Sequence, residues 1–87
     1  MRYGLDLPVI DMESTGTNIK RLMQKNKFDV FDLQVMLGMK TPRYIYQWLK
    51  GNNVPNPDNL VRLSAIFGVK IDDIIITTGG KNDADES

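Results

Sequence analysis

The sequence predicts a compact all-α fold of five short helices, and three observations point to it. Apolar residues recur three and four positions apart in short blocks. Three of those blocks stop at a glycine (Gly38, Gly51 or Gly68), the residue that most readily takes the left-handed conformation at a helix end. Two starts place proline directly behind a side chain that can cap, at Thr41-Pro42 and Asn56-Pro57. With 87 residues, 41% of them hydrophobic, the chain can fill one modest core and not a second.

Residues 1–13 include Gly4 and Pro8 and show no helical period, so they read as an arm, extended or packed like a strand. Helix 1 is expected to start near Ser14 to Thr17, where hydroxyls can cap free amides, and to run to about Lys25. Ile19, Leu22 and Met23 take its core positions, while Lys20, Arg21 and Lys25 lie off that stripe. Asp29 caps helix 2, with Asp32 three residues on in an approximate capping box, and Leu33, Met36 and Leu37 form its buried stripe. Helix 3 spans 41–50, with Thr41 as cap and Pro42 at the first helical position, where the missing N–H costs nothing. Helix 4 has Asn56 as cap, Pro57 behind it and Asp58 favourable at the positive end of the dipole; Leu60, Leu63 and Phe67 give it a core face. A fifth helix, roughly Ile71 to Ile75, opens on Asp72 and Asp73, although "DIIITT" also reads as a β-strand. The domain is therefore 14–76, and 77–87 is expected to be a disordered polar tail.

Composition removes several function classes. Cysteine and histidine are both absent, which takes away disulfides, thiolate metal sites and the commonest general base together. Ser14 and Ser64 then lack an activating partner, so no enzyme, cofactor or metal site is expected. Asp83, Asp85 and Glu86 lack the glycine and the spacing of a calcium loop, and "TTGGK" lacks the upstream glycine of a phosphate loop. No run approaches the roughly 20 apolar residues of a membrane span, and the acidic, interrupted start does not fit a signal peptide, so a cytoplasmic protein is expected. The formal net charge is zero but unevenly spread: residues 18–53 carry seven basic and two acidic side chains, and both flanks are acidic. Screening limits the reach of distant charge to about 8–10 Å, so the basic middle matters more to an anionic partner than the total does.

The stretch "TPRYIYQWLKG" concentrates the chemistry. At about 100° per residue, Arg43, Tyr46, Gln47 and Lys50 line one face of helix 3, Ile45, Trp48 and Leu49 the opposite one, and Tyr44 falls near the boundary. Trp48, beside Ile45, is a core residue on this reading. Arginine can fork onto guanine O6 and N7, glutamine onto adenine N6 and N7, and lysine and tyrosine can reach phosphate oxygens. A polar face alone is what any solvated helix shows. Here it follows a first helix and a glycine-containing turn, the layout of a helix-turn-helix.

From about Gly16 to Ile75 the chain resembles the phage-repressor and Cro-type helix-turn-helix regulators, the XRE-like or lambda-repressor-like family. The resemblance rests on "TGTNIKRLMQKN", "VFDLQVMLGM", "YIYQWLKG" and "VPNPDNLVRLSAIFGVKIDDII" in that order. It implies a five-helix domain that binds double-stranded operator DNA, usually as a homodimer, with helix 3 in the major groove. By position, Arg43 and Gln47 fall at base-reading places with Tyr44 and Tyr46 flanking them; Lys50, Asn52 and Asn53 match the phosphate-touching stretch; Thr41 and Pro42 lie at the helix start near the backbone.

Four departures stand out. The turn between the helices is one residue longer than usual, Val30 replaces a phosphate-binding glutamine, and Gln34 stands where alanine is usual. Met23 and Leu49 occupy the places of an internal arginine–glutamate pair, an exchange that implies an apolar contact. The reading is a sequence-specific DNA-binding regulator, with no effector evident; the alternative is a protein-interaction module or antitoxin-like adaptor on the same fold. The expected dimer face is helix 5 with Ile74 to Ile76, joined by the N-terminal arm.

Overall fold

Asp11, not a hydroxyl of Ser14 or Thr17, starts the first helix. In the computed structural model, which describes residues 7–78, Asp11 has extended backbone (φ −89°, ψ 97°), and its carboxylate accepts from the Ser14 N–H at 3.0 Å and the Ser14 hydroxyl at 2.9 Å. The helix, α1, therefore spans Met12–Lys25, beginning earlier than the hydroxyl cluster suggests. The Ser14 donors hold the Asp11 carboxyl below its ordinary value. A lowered folded pKa makes the cap's stabilisation complete above the unfolded value of about 3.9 and lost as pH falls through the folded one.

The end of α1 has no glycine to announce it. Lys27 takes the left-handed conformation (φ 59°), and the Phe28 N–H turns back to the Met23 carbonyl at 2.8 Å. Then α2, Val30–Leu37, opens on the anticipated capping box: Asp29 accepts from the Asp32 N–H at 2.8 Å while Asp32 accepts from the Asp29 N–H at 3.0 Å. Leu33 and Leu37 are buried, but Met36 is 43% exposed, against expectation. An i, i+4 pair centres the buried stripe, and Met36 stands about 80° from that centre, outside the width that an eight-residue helix can cover.

After the turn, α3 occupies Arg43–Lys50 and α4 Pro57–Phe67. Asn56 caps α4 by accepting from the Asn59 N–H at 2.8 Å, with Pro57 in the first turn as read. The core joins Ile19, Leu22 and Met23 of α1, Leu33 and Leu37 of α2, Ile45 and Trp48 of α3, and Leu60, Leu63 and Phe67 of α4. Gly16 lets α1 lie directly on α3: a Cβ there would overlap the Trp48 carbonyl oxygen and stand 3.0 Å from that of Leu49. Met23 is buried in this cluster and Leu49 packs against it, so apolar packing fills both places proposed for an exchanged ion pair. Gln34 donates through Nε2 to the Met39 carbonyl at 3.3 Å, so the turn after α2 supplies an acceptor for this side chain.

The fifth helix is corrected. Ile71–Asp73 forms a single 3-10 turn, and the chain then extends to a short strand that pairs antiparallel with the arm. These strands are β1, Val9–Ile10, and β2, Thr77–Thr78, with Val9 opposite Thr78 and Ile10 opposite Thr77. The domain thus has four α-helices and a two-residue ladder among the described residues. Tertiary bonds win over helix continuation: Asn18 donates through Nδ2 to the carbonyls of Asp73 (2.7 Å) and Ile74 (3.0 Å), and the Ile76 N–H donates to Thr15 Oγ1 at 2.9 Å. Thr15 is buried, and Asp11 N–H donates to the Ile76 carbonyl at 2.8 Å. Thr77 and Thr78 therefore belong to the fold rather than the tail; the rest of that predicted tail, and the first six residues of the arm, lie outside the described residues. No helix among the described residues is long and apolar enough to cross a membrane.

Candidate nucleic-acid interface

Proline has no N–H, and here Pro42 (φ −81°, ψ 4°) is the residue that flanks α3, with Arg43 the first helical one. The cap and the first helical residue thus each lie one position beyond those read from the sequence, Thr41 and Pro42. No side chain seals α3 from the cap position; Thr41 reaches in from one residue further out and accepts from the Arg43 N–H at 3.3 Å. The positive end of the α3 dipole is left more open than that of α2, which two carboxylates close.

Along α3 the division of faces is as the sequence reads. Ile45 and Trp48 are buried, Trp48 at 3% exposure, which assigns it to the core. Arg43 and Lys50 are exposed, as are Tyr44 (55%) and Tyr46 (48%). Gln47 is half-buried, and it is not free: its Oε1 accepts from Asn52 Nδ2 at 2.9 Å. Asn52, read from sequence as a phosphate contact, is thus tied back onto the helix, while Asn53 is exposed one residue further on.

A cleft of about 700 Å³ adjoins this ridge, between the α2–α3 turn and α4. Leu37, Met39, Trp48 and Val54 contribute its apolar lining. Three of the residues read as DNA contacts, Thr41, Tyr44 and Asn53, line it together with Lys40, Asn59 and Arg62. The lining thus carries two cations and no acid, and Arg62 is steadied by donating to Asn59 Oδ1 at 3.2 Å. The structure brings Thr41, Tyr44 and Asn53 together with these; Tyr46 and Lys50 stay on the ridge and do not line the cleft.

Sequence reasoning missed Lys40, Asn59 and Arg62. A signal existed for the last two: with the cap Asn56 they recur every third residue, which puts a polar stripe on the side of α4 that begins at its cap. Among the described residues no group of three acidic side chains is placed to hold a metal ion.

The family model described as Helix-turn-helix matches residues 19–74. No curated protein matches the chain. Among solved structures, the crystal structure of apo-HppE is similar over 76% of this chain and 36% of its own, with a TM-score of 0.65 and 20% sequence identity. At that identity the likeness is one of fold, and this chain spans little more than a third of that protein's length.

Proposed function

The chain belongs to the Cro- and repressor-like helix-turn-helix family of DNA-binding transcriptional regulators, and from that premise we propose that it binds duplex DNA sequence-specifically, with α3 reading the major groove. One observation carries the reading: the outward face of α3 holds Arg43, Tyr44, Tyr46 and Lys50 exposed, beside a cleft whose ionic residues, Lys40 and Arg62, are both basic. Arg43 and Gln47 are the base readers. Thr41, Pro42, Lys50 and Asn53 lie against the sugar–phosphate backbone, and Lys40 and Arg62 extend that contact toward α4; at the start of α2, Val30 offers no side-chain hydrogen bond to a phosphate. Selection of binding sites from a pool of random duplexes tests this directly. A defined motif bound with strong salt dependence supports it, and the absence of salt-dependent binding to any duplex refutes it.

The regulator acts as a homodimer on this reading, because closed two-fold assembly matches two-fold operators. Ile74, expected at the interface, is fully buried and has no surface to offer. The apolar residues available at that corner are Leu7, Val9, Ile10, Met12 and Ile76, each at least 36% exposed around the strand pair. A monomer at high concentration in sedimentation refutes this part.

A second reading, the protein-interaction module, draws on the outer face of α2. Phe31 and Val35 are 67% and 61% exposed one turn apart, with Met36 and the half-buried Phe28 beside them. A partner bound there without loss of duplex binding would add an activity; a partner bound in place of any duplex would displace the first reading.

A further inference from the structure

Asn52 sits where the chain doubles back at the end of α3. Gly51 takes φ 79°, its N–H donates to the Trp48 carbonyl at 3.1 Å, and the Asn52 N–H donates to the Gln47 carbonyl at 3.0 Å. That return brings the two side chains together, and Asn52 Nδ2 donates to Gln47 Oε1 at 2.9 Å. The return itself has little room to shift, because Gly51 lies on the backbone of α1: a Cβ there would stand 2.8 Å from Glu13 Cα. Gln47 and Asn52 are therefore joined twice, through main chain and through side chain, on a rigid support.

A carboxamide can read a base from either of its two ends. Unrestrained, it offers Oε1 and Nε2 side by side, the fork that fits adenine N6 and N7. With Oε1 held by Asn52, an adenine fork requires that oxygen to leave or share its bond, and the Nε2 end with its two N–H groups is the end that Asn52 does not engage. Guanine displays two acceptors, O6 and N7, on its major-groove edge.

We propose that Asn52 is a specificity-determining residue that works through Gln47, fixing the carboxamide so that α3 presents donors there and selects guanine rather than adenine. It is a positioning residue rather than a phosphate contact. The proposal rests on the DNA-binding reading above and refines it.

The test uses the full 87-residue chain and duplexes enriched by it from a random pool. Gln47→Ala first identifies the base pair whose preference is lost. Four duplexes that differ only at that pair are then titrated against the wild type, Asn52→Leu and Asn52→Asp, each checked for cooperative thermal unfolding. The wild type is expected to prefer guanine. Asn52→Leu frees the carboxamide and flattens the preference at that pair by roughly tenfold, leaving the pair read by Arg43 unchanged. Asn52→Asp supplies a carboxylate that can only accept, draws Nε2 inward, turns Oε1 outward and moves the preference to adenine or cytosine, whose exocyclic amines donate. Ratios between duplexes remove the general weakening that an added negative charge causes.

The same base order in all three proteins overturns the proposal, as does an equal loss on every duplex, which is the signature of a phosphate contact. Gln47→Ala that changes no preference overturns it too, with DNA binding intact. If the wild type enriches no duplex, the DNA-binding reading falls and this inference with it.

Discussion

The two helices of the helix-turn-helix are built alike and finished differently. Both α2 and α3 have eight residues, both end on a left-handed glycine (Gly38, φ 69°; Gly51, φ 79°), and in both a glutamine carbonyl accepts the N–H of the residue after that glycine at 3.0 Å. Even the glutamine side chains return to that residue, Gln34 donating to the Met39 carbonyl and Gln47 accepting from Asn52. From there they diverge. The first turn of α2 is closed by Asp29 and Asp32, and its outer face shows Phe31, Val35 and Met36; α3 has no such closure and shows Arg43, Tyr46 and Lys50. The lesson is that shape and affinity are encoded separately: one motif sets both rods, and only surface chemistry marks the one suited to polyanions.

The largest effect that sharpens this comparison comes from the matched glycines. Nothing lies within 4 Å of a Cβ added at Gly38, whereas one at Gly51 meets the Glu13 backbone. Gly38→Ala carries only the left-handed penalty, about 1–2 kcal/mol. Gly51→Ala adds an overlap of backbone against backbone and is expected to cost about 2–4 kcal/mol in all. Urea unfolding of the two variants decides it, and equal losses would mean that the seat of α3 on α1 yields more than the packing implies.

Next in size are effects on duplex affinity. Arg43→Ala is expected to cost about 1–3 kcal/mol on the preferred site and to relax selection at one base pair. Lys50→Ala, Lys40→Ala and Arg62→Ala should each weaken all sequences alike and lower the slope of log K against log salt by about 0.9 for each phosphate lost. Titration at several salt concentrations separates the two classes. A sequence-dependent loss in Lys40→Ala would move the α2–α3 turn from backbone contact to base reading.

Legibility in the sequence followed the range of the interactions. The Asp29–Asp32 box, the Asn56 cap, the stops at Gly38, Gly51 and Gly68 and the inward face of α3 are all local chemistry, and the structure has them where they were read. The strand-like arm and the strand alternative for "DIIITT" were legible, but the 3-10 turn and the pairing of the two strands were not, because Thr15 and Ile76 are 61 positions apart and Asn18 and Ile74 are 56. The acids at Asp72 and Asp73 suggested a helix start, whereas the β-branched run after them suits a strand, and the bonds from Asn18 and Thr15 hold the segment in its extended course. The end of α1 was legible at about Lys25 from the apolar spacing alone; what carried no signal is the left-handed turn at Lys27, which a glycine would have announced. At the candidate site the α3 ridge was readable from periodicity, but the cleft is assembled from four segments, and the Gln47–Asn52 pair depends on side-chain conformations that spacing does not determine.

A smaller effect tests the closure of α2. Asp29→Ala removes the acceptor of the Asp32 N–H and is expected to lower stability by about 1 kcal/mol. Duplex affinity should stay level or rise slightly, because a negative charge leaves the helix-turn-helix unit. Parallel unfolding and binding titrations report the two quantities separately. Affinity that falls in step with stability would indicate that the capped end of α2 touches DNA, and the asymmetry between the helices would weaken accordingly.

The smallest expected change is also the one that separates the two functional readings. Phe31 and Val35 are more than half exposed, so Phe31→Ser with Val35→Thr forfeits little buried surface and should leave stability within about 0.5 kcal/mol. If duplex recognition belongs to α3 and its neighbouring cleft, the affinity and base preference of the double variant match the wild type. If α2 instead carries an apolar partner surface, the variant loses that association while its DNA titration is unmoved, and sedimentation reads the loss when the partner is a second copy. A fall in duplex affinity would contradict the division of labour outright, because exchanging apolar side chains for hydroxyls adds no repulsion toward phosphate and removes no cation.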